Sequence, residues 1–344
     1  MKTLKIAIHH EEHSDGFSKR WIRYCKENGI EYKIVSCYSS DIIKQIEDCD
    51  ILMWHHDQSN YRDKLFAKQL LYSVELSGKK VFPDFNTGWH FDDKVGQKYL
   101  LEAMGVPLVP SYVFYNKKEA LKWAETTDYP KVFKLRGGAG SSNVKLVRNM
   151  SEAVMLINKA FGRGFSQFNR WGHFKERYNR YKSGRDTLFG VLKGFRRLFV
   201  PTEFARMTGN EKGYAYFQKF IPNNDSDIRV IVIGDKAFAI KRLTRENDFR
   251  ASGSGYIIYD QNEIDIRCVK LAFEINDKIQ SQSIGYDFVF DEENNPLVVE
   301  ISYGFVAAGY DPCPGYWDRE LNWYQSPFNP QQWMIEDLFK KLKK

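Results

Sequence analysis

Residues 131–147 read KVFKLRGGAGSSNVKLV. Two runs of β character, KVFKL and NVKLV, flank a loop of Arg136, Gly137, Gly138, Ala139, Gly140, Ser141 and Ser142. A Gly-Gly turn between β-rich runs signals a hairpin. A plain hairpin needs only about two or three turn residues, yet six stand between Arg136 and Asn143. Their chemistry is one-sided. Gly137, Gly138 and Gly140 let successive amides point into one concavity, Ser141 and Ser142 add hydroxyl donors, and Lys134 and Arg136 add positive charge. Such a nest suits a polyphosphate. The loop by itself leaves a phosphate cradle and a plain hairpin equally open.

Upstream, the first ninety residues alternate. KIAIHH, IEYKIVSCY, DILMWHH and KKVFPDF read as strands, with helical segments between them that close at Gly29 and Gly78. This order predicts a doubly wound parallel sheet. No G-x-G-x-x-G follows the first strand, so a dinucleotide fingerprint is absent. Next come DDKVGQKYLLEAMG, a helix ending at Gly105, and KKEALKWAETT, another helix. Downstream of the loop, SEAVMLINKAF predicts a helix capped by Ser151. Then YAYFQKFIP, DIRVIVIG and KAFAIKRL read as strands, IRCVKLAFEINDKIQ as a helix, and YDFVFDEENNPLVVEISY as a hairpin. A helix, QQWMIEDLFKKLKK, ends the chain.

The chain of 344 residues is 43% hydrophobic and 15% aromatic, enough for a substantial core. Its length predicts about two or three domains. No apolar run approaches the ~18 residues of a membrane span. The N-terminus reads as a first strand and lacks the apolar core of a signal peptide. Five scattered cysteines, at 25, 37, 49, 268 and 313, show neither disulfide nor zinc spacing, which fits a reducing cytoplasm. Net charge is +7, and residues 161–207 alone, with eleven Lys and Arg against three Asp and Glu, carry +8. Residues 161–215 therefore read as a basic, partly helical insertion.

Chemistry concentrates in the last hairpin. Asp287 and Glu300 lie on adjacent strands between apolar neighbours, so both point the same way. Paired carboxylates repel unless a cation joins them. Oxygen ligands without nearby Cys or His suit Mg²⁺, which takes one or two carboxylates plus phosphate oxygens. The competing reading makes Asp287 a turn cap and Glu300 the partner of a basic residue. Asp227, Arg229, Lys241, Arg242, Arg245 and Arg250 cluster on neighbouring strands and one loop. They read either as a solvated basic face or as one sheet face meeting phosphates and carboxylates.

The order of these features, DDK, a strand lysine before a Gly-Ser loop, FQKFIP, DIRVIVIG, FRASGSG, an Asp and EIS, resembles the ATP-grasp superfamily. Within it the chain is most similar to the branch of ribosomal-protein glutamate ligases and related carboxylate–amine ligases. The resemblance runs from the first strand to about Tyr303. It implies an α/β (α+β ATP-grasp) fold: an N-terminal doubly wound parallel sheet domain at 1–90, then two α+β ATP-grasp subdomains at 91–217 and 218–344. It further implies that Lys94 and Lys134 contact ATP phosphates and that Gly137, Gly138, Gly140, Ser141 and Ser142 form the loop closing over them. Gln218, Lys219, Phe220 and Ile221 become the adenine segment, with the backbone of Lys219 and Phe220 reading the base edge. Asp227 becomes the acid on the ribose hydroxyls, Arg250 and Ser252 the pair near the phosphates, and Asp287 and Glu300 the metal carboxylates. Arg229, Lys241 and Arg250 are the candidate catalytic residues, and Arg229 and Arg250 the groups that hold the carboxylate or steady the transition state. At Ser252 and at the metal position Ser302 the family usually has Asn, which puts a second metal position in doubt.

The implied reaction is an ATP- and Mg²⁺-dependent ligation. Phosphoryl transfer turns a carboxylate into an acyl phosphate, and an amine then attacks. Phosphorylation or thioester formation on the same fold, and a nucleotide- or membrane-binding protein without turnover, are the alternatives. For the insertion, three readings stand side by side: a solvated surface, a basic amphipathic helix at the inner face of the membrane, and a site for an acidic polymer or glycan.

Overall fold

The computed structural model describes residues 4–10, 16–138, 143–166, 203–245 and 248–343, with isolated positions between 178 and 195. Strands β1 (Lys5–His9), β2 (Glu31–Val35), β3 (Ile51–Met53) and β4 (Lys80–Phe82) form the parallel sheet expected, in the order β2-β1-β3-β4. Helices α1 (Ser18–Glu27), α2 (Ile42–Gln45) and α3 (Tyr61–Leu76) are the crossovers that parallel pairing requires. Ile6, Ile8, Ile51 and Met53 bury against Trp21 on one face, while Ala7 and Leu52 bury against Trp54 and Leu71 on the other. Burial on both faces explains why these strands read as near-continuous apolar runs. After a short helix, α4 (Phe85–Gly88), comes α5 (Lys94–Ala103). Asp93 caps α5, its carboxylate accepting from the Gly96 amide at 2.9 Å. The DDK run is thus a helix N-terminus.

A second sheet follows. It contains β5 (Ser111–Phe114), β6 (Lys131–Lys134) and β7 (Lys145–Val147), with α6 (Lys117–Thr126) and α7 (Met150–Ala160) packed over it. α7 is capped by Asn149, which accepts from the Glu152 amide at 3.0 Å, and not by Ser151. Asn149 has the extended backbone a cap needs, whereas Ser151 already lies inside the first turn. The two-stranded pair β8 (Phe165–Ser166) and β9 (Asn210–Glu211) brackets the insertion, with α8 (Glu203–Thr208) on its return side. Most of the insertion, with the greater part of its expected helical content, lies outside the described residues. Strand β10 (Ala215–Lys219) then completes the sheet in the order β5-β10-β6-β7. β6 and β7 pair antiparallel, Lys131 opposite Val147, so the Gly-rich loop does join a hairpin.

The third sheet is built from β11 (Ser226–Ile233), β12 (Lys236–Leu243), β13 (Ile257–Ile258), β14 (Ser283–Phe290), β15 (Pro296–Ser302), β16 (Tyr316–Trp317) and β17 (Trp323–Tyr324). Helix α9 (Ile266–Ile279) covers one face, burying Cys268 and Ala272 with Ile228, Val230 and Phe288. Helix α10 (Pro330–Lys343) turns back onto α1, and its Trp333, Ile335 and Leu338 share one core with Ile6, Trp21, Ile231 and Phe238. All five cysteines are buried and form no disulfide. Among the described residues no helix is long and apolar enough to cross a membrane.

Candidate active site

The register of the third sheet builds the site. Residues directly opposite on neighbouring strands share a face. Glu300 lies opposite Asp287, Asp287 opposite Arg229, and Arg229 opposite Ile240. Two residues along β11 on the same face, Asp227 lies opposite Arg242. This row faces a cavity of about 500 Å³ between the second and third sheets. Lys241 has the other parity. It lies opposite Ile228, and its Nζ donates to Glu263 Oε2 at 2.7 Å. It is not among the residues lining the cavity, where Arg242 stands instead.

Arg242 is the electrostatic hub. Its Nε and Nη2 donate to Asp227 Oδ1 and Oδ2 at 2.6 and 2.7 Å, and Nη2 lies 2.9 Å from Asp287 Oδ2. Both oxygens of Asp227, expected on a ribose, are therefore held by Arg242. Arg229 Nη1 lies 3.4 Å from Asp287 Oδ1, and Nη2 donates to the Gly304 carbonyl at 3.4 Å. Burial pushes the Asp287 carboxyl up, but Arg229 and Arg242 outweigh it and hold the group below its ordinary value.

Two lysines face this row from the other wall. Lys94, at the start of α5, lies 3.0 Å from Glu300 Oε1 and donates to the Gly138 carbonyl at 2.8 Å. Burial draws its pKa down, yet Glu300 and Asp92 more than reverse this and leave it above the ordinary lysine value. Lys134, the last residue of β6, donates to Gln218 Oε1 at 2.6 Å, and burial lowers its pKa to about 8.

The remaining expected residues are distributed unevenly. Gln218, Lys219, Phe220 and Ile221 line the apolar end of the cavity, where Phe220 meets Phe249 edge-on at 5.7 Å. The Lys219 amide donates to the Pro110 carbonyl at 2.8 Å, which removes it from the expected base-reading edge. Arg250 and Ser252 line the cavity, and Arg250 forks onto Asp248, Nη2 to Oδ2 at 2.6 Å. Gly140, Ser141 and Ser142 lie outside the described residues. Gly138 borders the cavity, but Gly137 borders a second, polar chamber of about 390 Å³. Lys64, Lys68, Asp92, Arg136 and Glu211 are among its walls, and Gln58 lines both spaces. The Gly137 and Gly138 amides donate to Glu211 Oε1 and Asp92 Oδ1, at 3.3 and 2.6 Å. Arg242, Asp92 and Glu211 are the site residues that the sequence alone did not single out for their roles.

The carboxylates suit a divalent cation. Asp287 Oδ1 is buried and, among the described residues, accepts no hydrogen bond. Glu300 is partly open to the cleft. The Ser302 hydroxyl donates to the Gly304 carbonyl at 2.8 Å, so it is an acceptor at most toward a cation. Among the described residues no group of three or more His, Cys, Asp or Glu gathers. Two carboxylates supplemented by phosphate oxygens fit Mg²⁺.

Comparisons with known proteins bear on the fold that carries this site. The family model for the RimK-like ATP-grasp domain matches residues 207–306, and that for the carbamoyl-phosphate synthase L chain, ATP binding domain, matches 93–183. The fold is that of an ATP-grasp protein. More particularly, the chain is similar to the alpha-aminoadipate–LysW ligase LysX of Saccharolobus solfataricus, with 22% identity over 279 residues, 79% of this chain and 84% of the relative. D-alanine–D-alanine ligase from Bacillus anthracis, solved with ATP, superposes with a TM-score of 0.58 at 12% identity, covering 100% of this chain and 99% of that one. The biotin carboxylase domain of Hydrogenobacter thermophilus 2-oxoglutarate carboxylase, solved with MgADP, gives 0.58 at 16% identity, covering 97% and 69%. ATP and Mg²⁺ are thus cofactors consistent with this fold.

Proposed function

We infer that the protein is an ATP-dependent ligase that joins a carboxylate to an amine through an acyl phosphate. The observation that carries this reading is the cross-strand row Glu300–Asp287–Arg229, faced across the cleft by Lys94 and Lys134. Asp287 and Glu300 would hold Mg²⁺, which when bound neutralises phosphate charge. Lys94 and Lys134 orient the phosphates, and the apolar end around Phe220 and Phe249 takes the base. Arg229 and Arg250, both lining the cavity, would hold the carboxylate. Amide formation needs water kept from the acyl phosphate, a task suited to the Gly-rich loop. The polar chamber, reached past Gln58, is the route for the second substrate.

An acidic substrate, such as a glycan acid or an acidic secondary metabolite, fits the +8 charge of residues 161–207, a segment bracketed by the β8–β9 pair whose Asn210 and Glu211 line this chamber. Domains at 1–90, 91–217 and 218–344 would each contribute one wall. Thermal unfolding with and without Mg²⁺–ATP tests the site. At a hundredfold excess over Kd, ATP should stabilise the wild type by about 2.7 kcal/mol, and Lys134→Ala should lose most of that. A wild type indifferent to every nucleotide overturns the reading. Hydroxylamine trapping then tests the intermediate, because an acyl phosphate yields a hydroxamate and a phosphorylated alcohol does not.

Lys134 also predicts two opposite pH slopes. Its pKa is lowered by burial to about 8, so ATP affinity should fall as pH rises through about 8 and the ammonium loses its charge. Stability without nucleotide should move the other way. Above about 8 the unfolded lysine still binds a proton that the folded one has lost, so its contribution to stability rises with pH up to the ordinary lysine value. Subtracting the profiles of Lys134→Met isolates both slopes, and parallel profiles for the two proteins would refute the assignment.

A further inference from the structure

The Asp92-Asp93-Lys94 run does more than start a helix. Each of its side chains takes hold of the entry to the Gly-rich loop. Asp93 Oδ2 accepts from Arg136 Nη2 at 2.5 Å, Asp92 Oδ1 accepts from the Gly138 amide at 2.6 Å, and Lys94 Nζ donates to the Gly138 carbonyl at 2.8 Å. The Lys94 amide adds a fourth link, donating to the Arg136 carbonyl at 2.9 Å. The N–H and the C=O of Gly138 are thus gripped by two residues of one tripeptide.

The backbone is shaped for this grip. Gly138 has φ +112°, a conformation open to glycine, and Asp92 has φ +53°, which a short unbranched acid tolerates. The Asp92 side chain is only 6% exposed, and its other oxygen lies 3.1 Å from Lys64 Nζ. A carboxylate on a backbone amide makes a charge-assisted bond. It is the same kind of acceptor as a phosphate oxygen, so the Gly138 amide is committed before any nucleotide arrives.

We propose that Asp92 is a positioning residue that pins the backbone at Gly138, where it borders the nucleotide cleft. This role rests on the ATP-ligase reading, because it assigns Asp92 no contact with a reacting atom. It acts through the Gly138 backbone, which borders the cavity.

Hydrogen exchange of the nucleotide-free protein, with titration by Mg²⁺–AMPPNP, tests the proposal. Asp92→Ala should raise exchange at the 137–138 amides by about tenfold or more, the loss expected for one charge-assisted bond. It should also weaken AMPPNP binding by about tenfold. Asp92→Asn keeps an acceptor oxygen for Gly138 and should restore most of both, a rescue that general loosening of the fold would not give. Unchanged exchange in Asp92→Ala overturns the clamp. Tighter AMPPNP binding in that variant also overturns it, since Asp92 would then be a competitor of phosphate. If Asp92→Ala does not fold, Arg136→Met breaks the neighbouring link through a more exposed side chain. It must then raise exchange at 137–138 severalfold, and no rise overturns the clamp. A wild type that binds no AMPPNP refutes the ligase reading, while the exchange measurements still decide the clamp.

Discussion

Arg242→Leu is expected to destabilise the protein by about 3–5 kcal/mol, the cost of leaving a buried partner charge uncompensated. Arg242 holds Asp227 through two hydrogen bonds and Asp287 through a third contact, all in the floor of the cleft. Without it, Asp287 keeps Arg229, at 3.4 Å, and the weaker influence of Lys134. The shift is read from the urea midpoint. Asp227→Leu in the same background should recover part of the loss, because removing both members of a buried pair costs far less than removing one. The deficit should also shrink in acid. Asp287 has its pKa lowered by the two arginines, which outweigh its burial, so its contribution is present above the ordinary carboxylate pKa and is lost as pH falls through the depressed value. A single-variant cost below about 1 kcal/mol would place the pair with surface ion pairs and sink the hub assignment.

The second large effect is on turnover. Glu300→Gln should lower Mg²⁺-dependent ADP formation by about 10²–10³-fold, the usual loss when one preorganised charge contact is removed from a transition state. The glutamine has nearly the same shape, the side chain is 32% exposed, and Asp92 still offsets the buried Lys94 charge, so the protein should still fold. Nucleotide binding should persist through Lys134 and the apolar end of the cavity. The variant should also need more Mg²⁺ to reach its maximum rate. Activity within threefold of wild type at saturating Mg²⁺ would leave Glu300 as merely the counter-ion of Lys94. The readout is ADP release with whichever acid and amine the wild type turns over.

Much of this architecture is legible in the residues. The alternating strands and helices of the first ninety positions specify the parallel sheet, since parallel strands need crossovers and burial on both faces leaves an apolar signature. The Asp287–Glu300 pairing is only half readable. The hairpin runs from Phe290 opposite Pro296 to Phe288 opposite Val298, which continued would set Asp287 opposite Val299, and a bulge between Asp287 and Phe288 brings Glu300 there instead. Lys241 and Arg242 show where reading stops. They are adjacent and alike in charge, and only the register of β12 on β11, Asp227 opposite Arg242, decides which one enters the cleft. A slip of one residue would exchange them. Asp92 and Glu211 were hidden for another reason. An acid that binds a backbone amide far along the chain leaves no local pattern, and the Glu211–Gly137 contact spans 74 positions. Ser151 shows a smaller failure of the same kind, because Asn149 and Ser151 are both good caps and the backbone chose the earlier one.

The return of α10 onto α1 has a mechanical consequence. Ile6, Ile8 and Trp21 from the first sheet, Ile231 and Phe238 from the third, and Trp333 and Leu338 from the last helix form one continuous core. The second sheet keeps a core of its own, around Phe133, Ile157 and Phe217. The first and last sheets are thereby welded into a single block, with the intervening sheet as a separate one. Truncating α10 should thus strike the front of the protein first, by unseating the sheet to which Lys5 and His9 belong.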